Sequence, residues 1–302
     1  MDSSAGKGRG AIHPGVRHLV GSSASSKGVA VNLLLVAAKL AAGLLAGSVS
    51  AVADALNNLM DAAGSLIAWA GFKMAGKKAD QEHPFGHGRY EYLAGLGAAV
   101  LIMVVGLELG RSGITEILRP TPLRLSPLLL AVLLLSIGVK LWMAAYYGRL
   151  GRRMGSSALK AVAADSRNDV VATGAVLISA LLFHFTGLQL DGWAAVLISL
   201  FIIYNGWGLV KETVSQLVGE APPPELVDYI AEKISRHEQV LGIHDLIVHD
   251  YGPGRRYVSA HVEMPGDEDP LVTHAIIDSI ERRFLEEDQI HLIIHYDPVP
   301  RE

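Results

Sequence analysis

Two pairs of oxygen-bearing residues at a four-residue spacing carry the chemistry of this sequence: Asn57 with Asp61, and Asp165 with Asp169, each inside a long apolar stretch. A four-residue step puts both members of a pair on one helix face. An ionisable side chain in lipid costs about 2.5–3.5 kcal/mol on insertion scales, so each of these groups needs a partner or a function. The chain has no cysteine, which removes disulfides and thiolate metal sites and leaves nitrogen and oxygen as the only ligands. Interhelical hydrogen bonding is one use for such residues. Three carboxylates at one depth repel each other unless a cation or protons intervene, which favours a cation site. A divalent ion with three ionised aspartates leaves a charge of −1, which one retained proton cancels. Protons and metal therefore compete for the same oxygens, and metal–proton exchange follows. Asp54 and Asn168 sit off the shared face and support the helices; Lys39, Glu108, Arg111 and Lys140 are lone charges that pair locally or snorkel, with no assigned role.

Two further clusters have metal-ligand character. Asp80, His83 and His87 lie in a Gly/Pro-broken connection, as a metal site at the membrane face or as a structured turn capping the next helix. Seven of the twelve histidines follow residue 220, where 17 acidic side chains face 7 basic ones; before it, 19 basic face 13 acidic. An acidic, histidine-rich end excludes nucleic acid as partner and suits cations, although a merely solvated acidic domain has the same composition. Within it, His295 and Asp297 share one face of a strand, while His244, His261 and His274 lie on other elements.

The elements that must position these residues are six apolar stretches, at 29–47, 49–76, 90–118, 126–147, 157–186 and 189–217. Each is long enough to cross a hydrocarbon core of about 30 Å as a helix. At about 1.5 Å per residue, Asn57 and Asp61 lie about 12 and 18 Å below the outer surface, and Asp165 and Asp169 about 12 and 18 Å above the inner one. The two pairs then meet near mid-membrane. Lysine and arginine are concentrated in the N-terminal tail, the second and fourth connections and at Lys211, so both termini are expected in the cytoplasm. Arg119 and Arg124 oppose this and are outnumbered. Gly219 and Pro222-Pro223-Pro224 end the last stretch. Beyond them the pattern predicts helix 224–237, strands 243–249 and 256–264, helix 270–286 and strand 290–296. The expected domains are a cytosolic tail (1–28), a six-helix transmembrane domain (29–219) and a small cytosolic α/β metal-binding and dimerisation domain (220–302).

With these residues in view, the chain resembles the cation diffusion facilitator family along nearly its whole length. The blocks are Ser48-Val-Ser-Ala-Val-Ala-Asp-Ala-Leu-Asn57-Asn-Leu-Met-Asp61, His83-Pro-Phe-Gly-His87-Gly-Arg-Tyr-Glu91 and Ala-Ala-Asp165-Ser-Arg-Asn-Asp169. The resemblance implies an α-helical polytopic membrane protein with six transmembrane helices and a cytosolic metallochaperone-like, ferredoxin-like α/β domain. It implies a homodimer in the plasma or inner membrane that exports a divalent transition metal against protons by alternating access. Asn57, Asp61, Asp165 and Asp169 would be the transport site, Asp80, His83 and His87 a peripheral one. His244, His261, His274, His295 and Asp297 would be a binuclear site of the zinc-type members. Zinc exporters of the family usually carry His or Asp at the position of Asn57 and His at that of Asp165. This chain departs at both and resembles the manganese-exporting branch. The ligand chemistry agrees, since carboxylate and amide oxygens suit Mn²⁺ while zinc favours imidazole and thiolate. Raw affinity favours zinc over manganese at most sites, so zinc, iron(II) and cobalt stay open as cargo. The cytosolic histidines suit zinc better, and a role for them in sensing metal is expected. No resident cofactor and no enzymatic activity is expected. An intramembrane aspartyl protease would place Tyr before Asp61 and Gly before Asp169, where Met60 and Asn168 stand. A non-transporting metal sensor and a channel stay open, the channel disfavoured because a four-ligand site holds its ion too tightly for conduction.

Overall fold

The computed structural model describes residues 14–45, 49–119, 127–186, 188 and 190–300, and the side chains of 42–60 lie outside the described set. Six long helices come first: α1 (Pro14–Leu45), α2 (Val49–Ala75), α3 (Tyr90–Leu118), α4 (Pro127–Met154), α5 (Ser157–Thr186) and α6 (Asp191–Val218). Among the described residues, four are long and apolar enough to cross a membrane, in α1, α3, α4 and α6. Helices α2 and α5 have 27 and 30 residues. They carry the polar pairs and pack among the others, α2 on α1 and α3, α5 on α3 and α4.

Small residues let these helices approach closely, which is how bundles in lipid gain van der Waals contact. Ala24, Ala68, Ala94, Ala158 and Ala163 pack around Phe72, Met143 and Tyr147. A Cβ on Gly71 would fall 2.2 Å from that of Ala94, so only glycine allows α2 and α3 to touch there. The same packing carries α1 back to Pro14, into the stretch expected as tail, since Ala24 and Ser25 are buried against the bundle. Arg17 of α1 reaches the buried Glu91 of α3 at 2.8 Å and also donates to the Met154 carbonyl. A tight turn at Gly155 (φ 58°) reverses α4 into α5, whose first turn is capped by Ser156 Oγ accepting from the Leu159 N–H.

The second unit groups Ser215–Glu302 with Lys77–Arg89, the connection between α2 and α3. It contains α7 (Pro224–Ser235), β1 (Gly242–Asp250), β2 (Arg256–Pro265), α8 (Pro270–Asp288) and β3 (Ile290–Val299). Each helix begins with proline at N1, and Asp269 caps α8 by accepting from the Leu271 N–H. The sheet order is β1-β2-β3, antiparallel then parallel. Strand alternation decides its two faces. Val258, Ala260, Val262 and Met264 of β2 point into the core with Ile230, Ile234, Ile280 and Phe284 of the helices. His261 and Glu263 therefore stand on the other face.

The connection 77–89 is docked on the turn between β1 and β2. Phe85 stacks on Tyr251 at 4.3 Å, and Arg89 lies over the same ring while donating to the Asp250 carbonyl at 2.9 Å. Gly252, at φ 114°, meets Gly88 so closely that a Cβ on it would fall 2.3 Å from the Gly88 carbonyl carbon.

Candidate metal centres

Among the described residues, three groups gather at least three metal-ligating side chains: Asp61, Asp165 and Asp169; Asp80, His83 and His87; and His244, His261 and Asp297. In each group one ligand atom per residue lies within 4.8 Å of the others.

The first group is built by α2 and α5. Asp165 and Asp169 share a face of α5, and Asp61 faces them from α2, where it is 2% exposed. Asn32 of α1 braces α2 from behind by donating to the Asp61 carbonyl and to Ser65 Oγ, both at 3.3 Å. The side chains of Asn57, expected as a fourth oxygen ligand, and of Asp54, Asn58 and Lys39 lie outside the described residues. Asn168 is 6% exposed and points into the packing, and Glu108 pairs locally with Arg111 at 3.5 Å on an exposed face.

The group has a member that sequence reasoning left without a role. Lys140 of α4 is 2% exposed, and its Nζ stands 2.8 Å from Asp61 Oδ2 and 2.5 Å from Asp169 Oδ2. It neither snorkels nor pairs within its own helix. The depth argument contained the signal, because thirteen residues from Pro127 at about 1.5 Å each bring Lys140 to the level of Asp61. The charge sum changes accordingly. Three ionised aspartates and one ammonium sum to −2, which one divalent ion or two protons would balance.

The second group is a turn held by its own carboxylate. Asp80 Oδ1 accepts from the backbone N–H of His83 at 2.7 Å and of Glu82 at 3.1 Å. The His83 N–H, with the two imidazoles beside it, holds the Asp80 carboxyl below its ordinary value despite some desolvation. His87 Nε2 is 3.4 Å from Asp80 Oδ2, and its Nδ1 is 3.0 Å from the Lys78 carbonyl, which orients the ring. The geometry serves both sequence alternatives, a turn and a three-ligand cluster.

The third group follows from strand register. His244 is paired with His261, and His261 with His295, so three imidazoles stand in one row across the sheet. Asp297 lies two residues along β3, on the same face, and binds the row together: its Oδ2 is 3.1 Å from His244 Nε2 and 3.0 Å from His261 Nδ1, and its Oδ1 is 3.4 Å from His295 Nε2. A bulge after His244, with Asp245 at φ 48°, shifts the register beyond the pair and leaves Asp245 Oδ2 3.3 Å from His244 Nδ1. His274 is exposed on α8 and is not in this group. Glu263, 3.8 Å from His244 Nε2, stands at its edge and was not anticipated.

Comparison with known proteins places these geometries in context. Residues 28–218 match the family model described as the cation efflux transmembrane domain, and residues 222–299 that of the cation efflux protein cytoplasmic domain. An uncharacterized transporter of Methanocaldococcus jannaschii is 29% identical over 83% of this chain and 89% of its own. The cation-efflux pump FieF of Citrobacter koseri is 32% identical, covering 94% of this chain and 95% of that protein. FieF of Klebsiella pneumoniae is likewise 32% identical, over 92% of each.

Proposed function

We propose, since this chain belongs to the cation efflux family, the cation diffusion facilitators, that it exports a divalent transition metal, Mn²⁺ before Zn²⁺, in exchange for protons by alternating access. Family membership makes the protein a multi-pass membrane transporter of cations and not an enzyme. The choice of metal and the coupling to protons are the proposal. One observation carries the metal: among the described residues, the membrane group offers three carboxylates and no imidazole. Such oxygens suit Mn²⁺, whereas zinc favours nitrogen and sulfur in tetrahedral sites. Asp61, Asp165 and Asp169, with Asn57 on the same helix as Asp61, form the transport site in this reading. Competition between metal and protons for these oxygens supports the exchange. The distribution of short-loop lysine and arginine supports both termini being cytoplasmic, and the likeness to FieF pumps supports a plasma or inner membrane location.

The histidine row supports a second, regulatory ion. Bound by His244, His261 and Asp297, with His295 beside them, it would bias a homodimer toward one conformation, which requires a different affinity in the two states. Alanine at His244, His261 and His295 should then remove the metal dependence of dimer geometry and lower transport; unchanged behaviour in both assays refutes this role.

The deciding experiment is uptake of Mn²⁺ and Zn²⁺ into proteoliposomes under an imposed pH gradient, with Asp165→Ala as the blank. Saturable, gradient-dependent Mn²⁺ flux exceeding Zn²⁺ flux is expected, and Asn57→His should shift the preference toward zinc. Preferential zinc flux in the unaltered chain would overturn the argument from ligand hardness and leave the transporter standing.

A further inference from the structure

We propose that Lys140 is a resident counter-cation of the membrane site, a tethered ammonium that an incoming metal must displace from Asp61 and Asp169. This inference rests on the reading of the three aspartates as the transport site. Lys140 comes from α4, a helix that contributes no ligand, and yet its Nζ stands between the two carboxylates contributed by α2 and α5. It is buried as deeply as Asp61, at 2% exposure. A divalent ion held by oxygens sits about 2.0–2.2 Å from them. An ion sharing Asp61 Oδ2 and Asp169 Oδ2 would therefore lie within about 5 Å of the buried Nζ, where like charges repel. Metal and ammonium thus compete for the same oxygens.

Displacement gives the lysine two effects. It weakens net metal binding, because loading must break an ion pair with Asp61 and another with Asp169. It also favours release, because the returning ammonium replaces the departing ion and the carboxylates are never left facing one another unscreened. A transporter needs both, since a site that binds too tightly cannot discharge its cargo. Four carbons of flexible side chain suit a charge that moves in and out, whereas the planar guanidinium of arginine would grip two carboxylates in a fixed fork.

The test is calorimetric titration of the full chain in lipid nanodiscs with Mn²⁺ and, separately, Zn²⁺, with Asp165→Ala defining the contribution of the other centres. Lys140→Met should tighten the Asp165-dependent binding by about tenfold or more and slow vesicle flux, while Lys140→Arg should weaken binding. A merely structural lysine would not yield tighter binding when removed. Both variants within twofold of the unaltered protein would overturn the proposal. If Lys140→Met does not fold, Lys140→Arg decides alone, and unaltered affinity there refutes it. No Asp165-dependent binding in the unaltered chain would instead refute the transport-site reading, and the role of Lys140 with it.

Discussion

Lys140 shares one buried ammonium between two carboxylates, so each aspartate backs up the other. Asp61→Ala or Asp169→Ala leaves Lys140 one partner, and either variant should fold, form its normal oligomer and transport metal at the Asp165→Ala background. Normal flux by either would remove that residue from the site. The double variant removes both close partners and leaves Asp165 as the carboxylate nearest the ammonium, a loss of up to about 3–5 kcal/mol for a buried charge. Thermal unfolding in detergent should show that loss for the pair and much less for each single change. At Asp80 the sign runs through its own proton. Because the His83 N–H holds the carboxyl below its ordinary value of 3.8, the folded turn takes up a proton less readily than the open chain. Its contribution is complete above 3.8 and disappears as pH falls through the lower folded value. Amide exchange at Glu82 and His83, corrected for intrinsic rates, should stay flat down to that range and rise below it; a rise beginning near neutral pH would contradict the turn.

At the scale of elements, the connection 77–89 is the surprise. Its Asp-x-x-His-x-x-x-His spacing was legible as a cluster, but nothing in it announced that Phe85 and Arg89 would seat the segment on the β1–β2 turn. Gly88→Val tests the seating. A Cβ there would fall 2.7 Å from the Tyr251 carbonyl oxygen, so the connection must lift while the strands stay paired. Hydrogen exchange should rise across 77–89 and stay unchanged in β2 and β3; protection retained in the connection would show that the close approach is dispensable. The sheet illustrates the opposite case. Alternation alone placed His295 and Asp297 on one face, and the register then set His244, His261 and His295 side by side. His274 shared the same composition signal but sits on a helix with its side chain in solvent, which periodicity along α8 does not reveal.

For the whole molecule, the cysteine-free sequence makes orientation directly measurable. Single cysteines at Ala221 and at Thr121 give one reporter after the sixth long helix and one between the third and fourth apolar stretches of the sequence. With an impermeant maleimide on intact cells, Thr121→Cys should label and Ala221→Cys should label only after permeabilisation. The reverse pattern would invert the inferred topology and with it the direction of export.

Composition and periodicity by themselves determined that the chain is a helical membrane protein with a small α/β end. They also placed oxygen pairs four residues apart on two helices at matching depth, because spacing along one element fixes both its faces and its rise. They left open which elements become neighbours. That depends on how small residues let helices approach and on how each helix is rotated about its axis, neither of which is local. Only the tertiary structure brought Lys140 of α4 between Asp61 and Asp169, converting a charge that looked solitary into part of the site. Only it seated the 77–89 connection on the sheet and left His274 out of the histidine row.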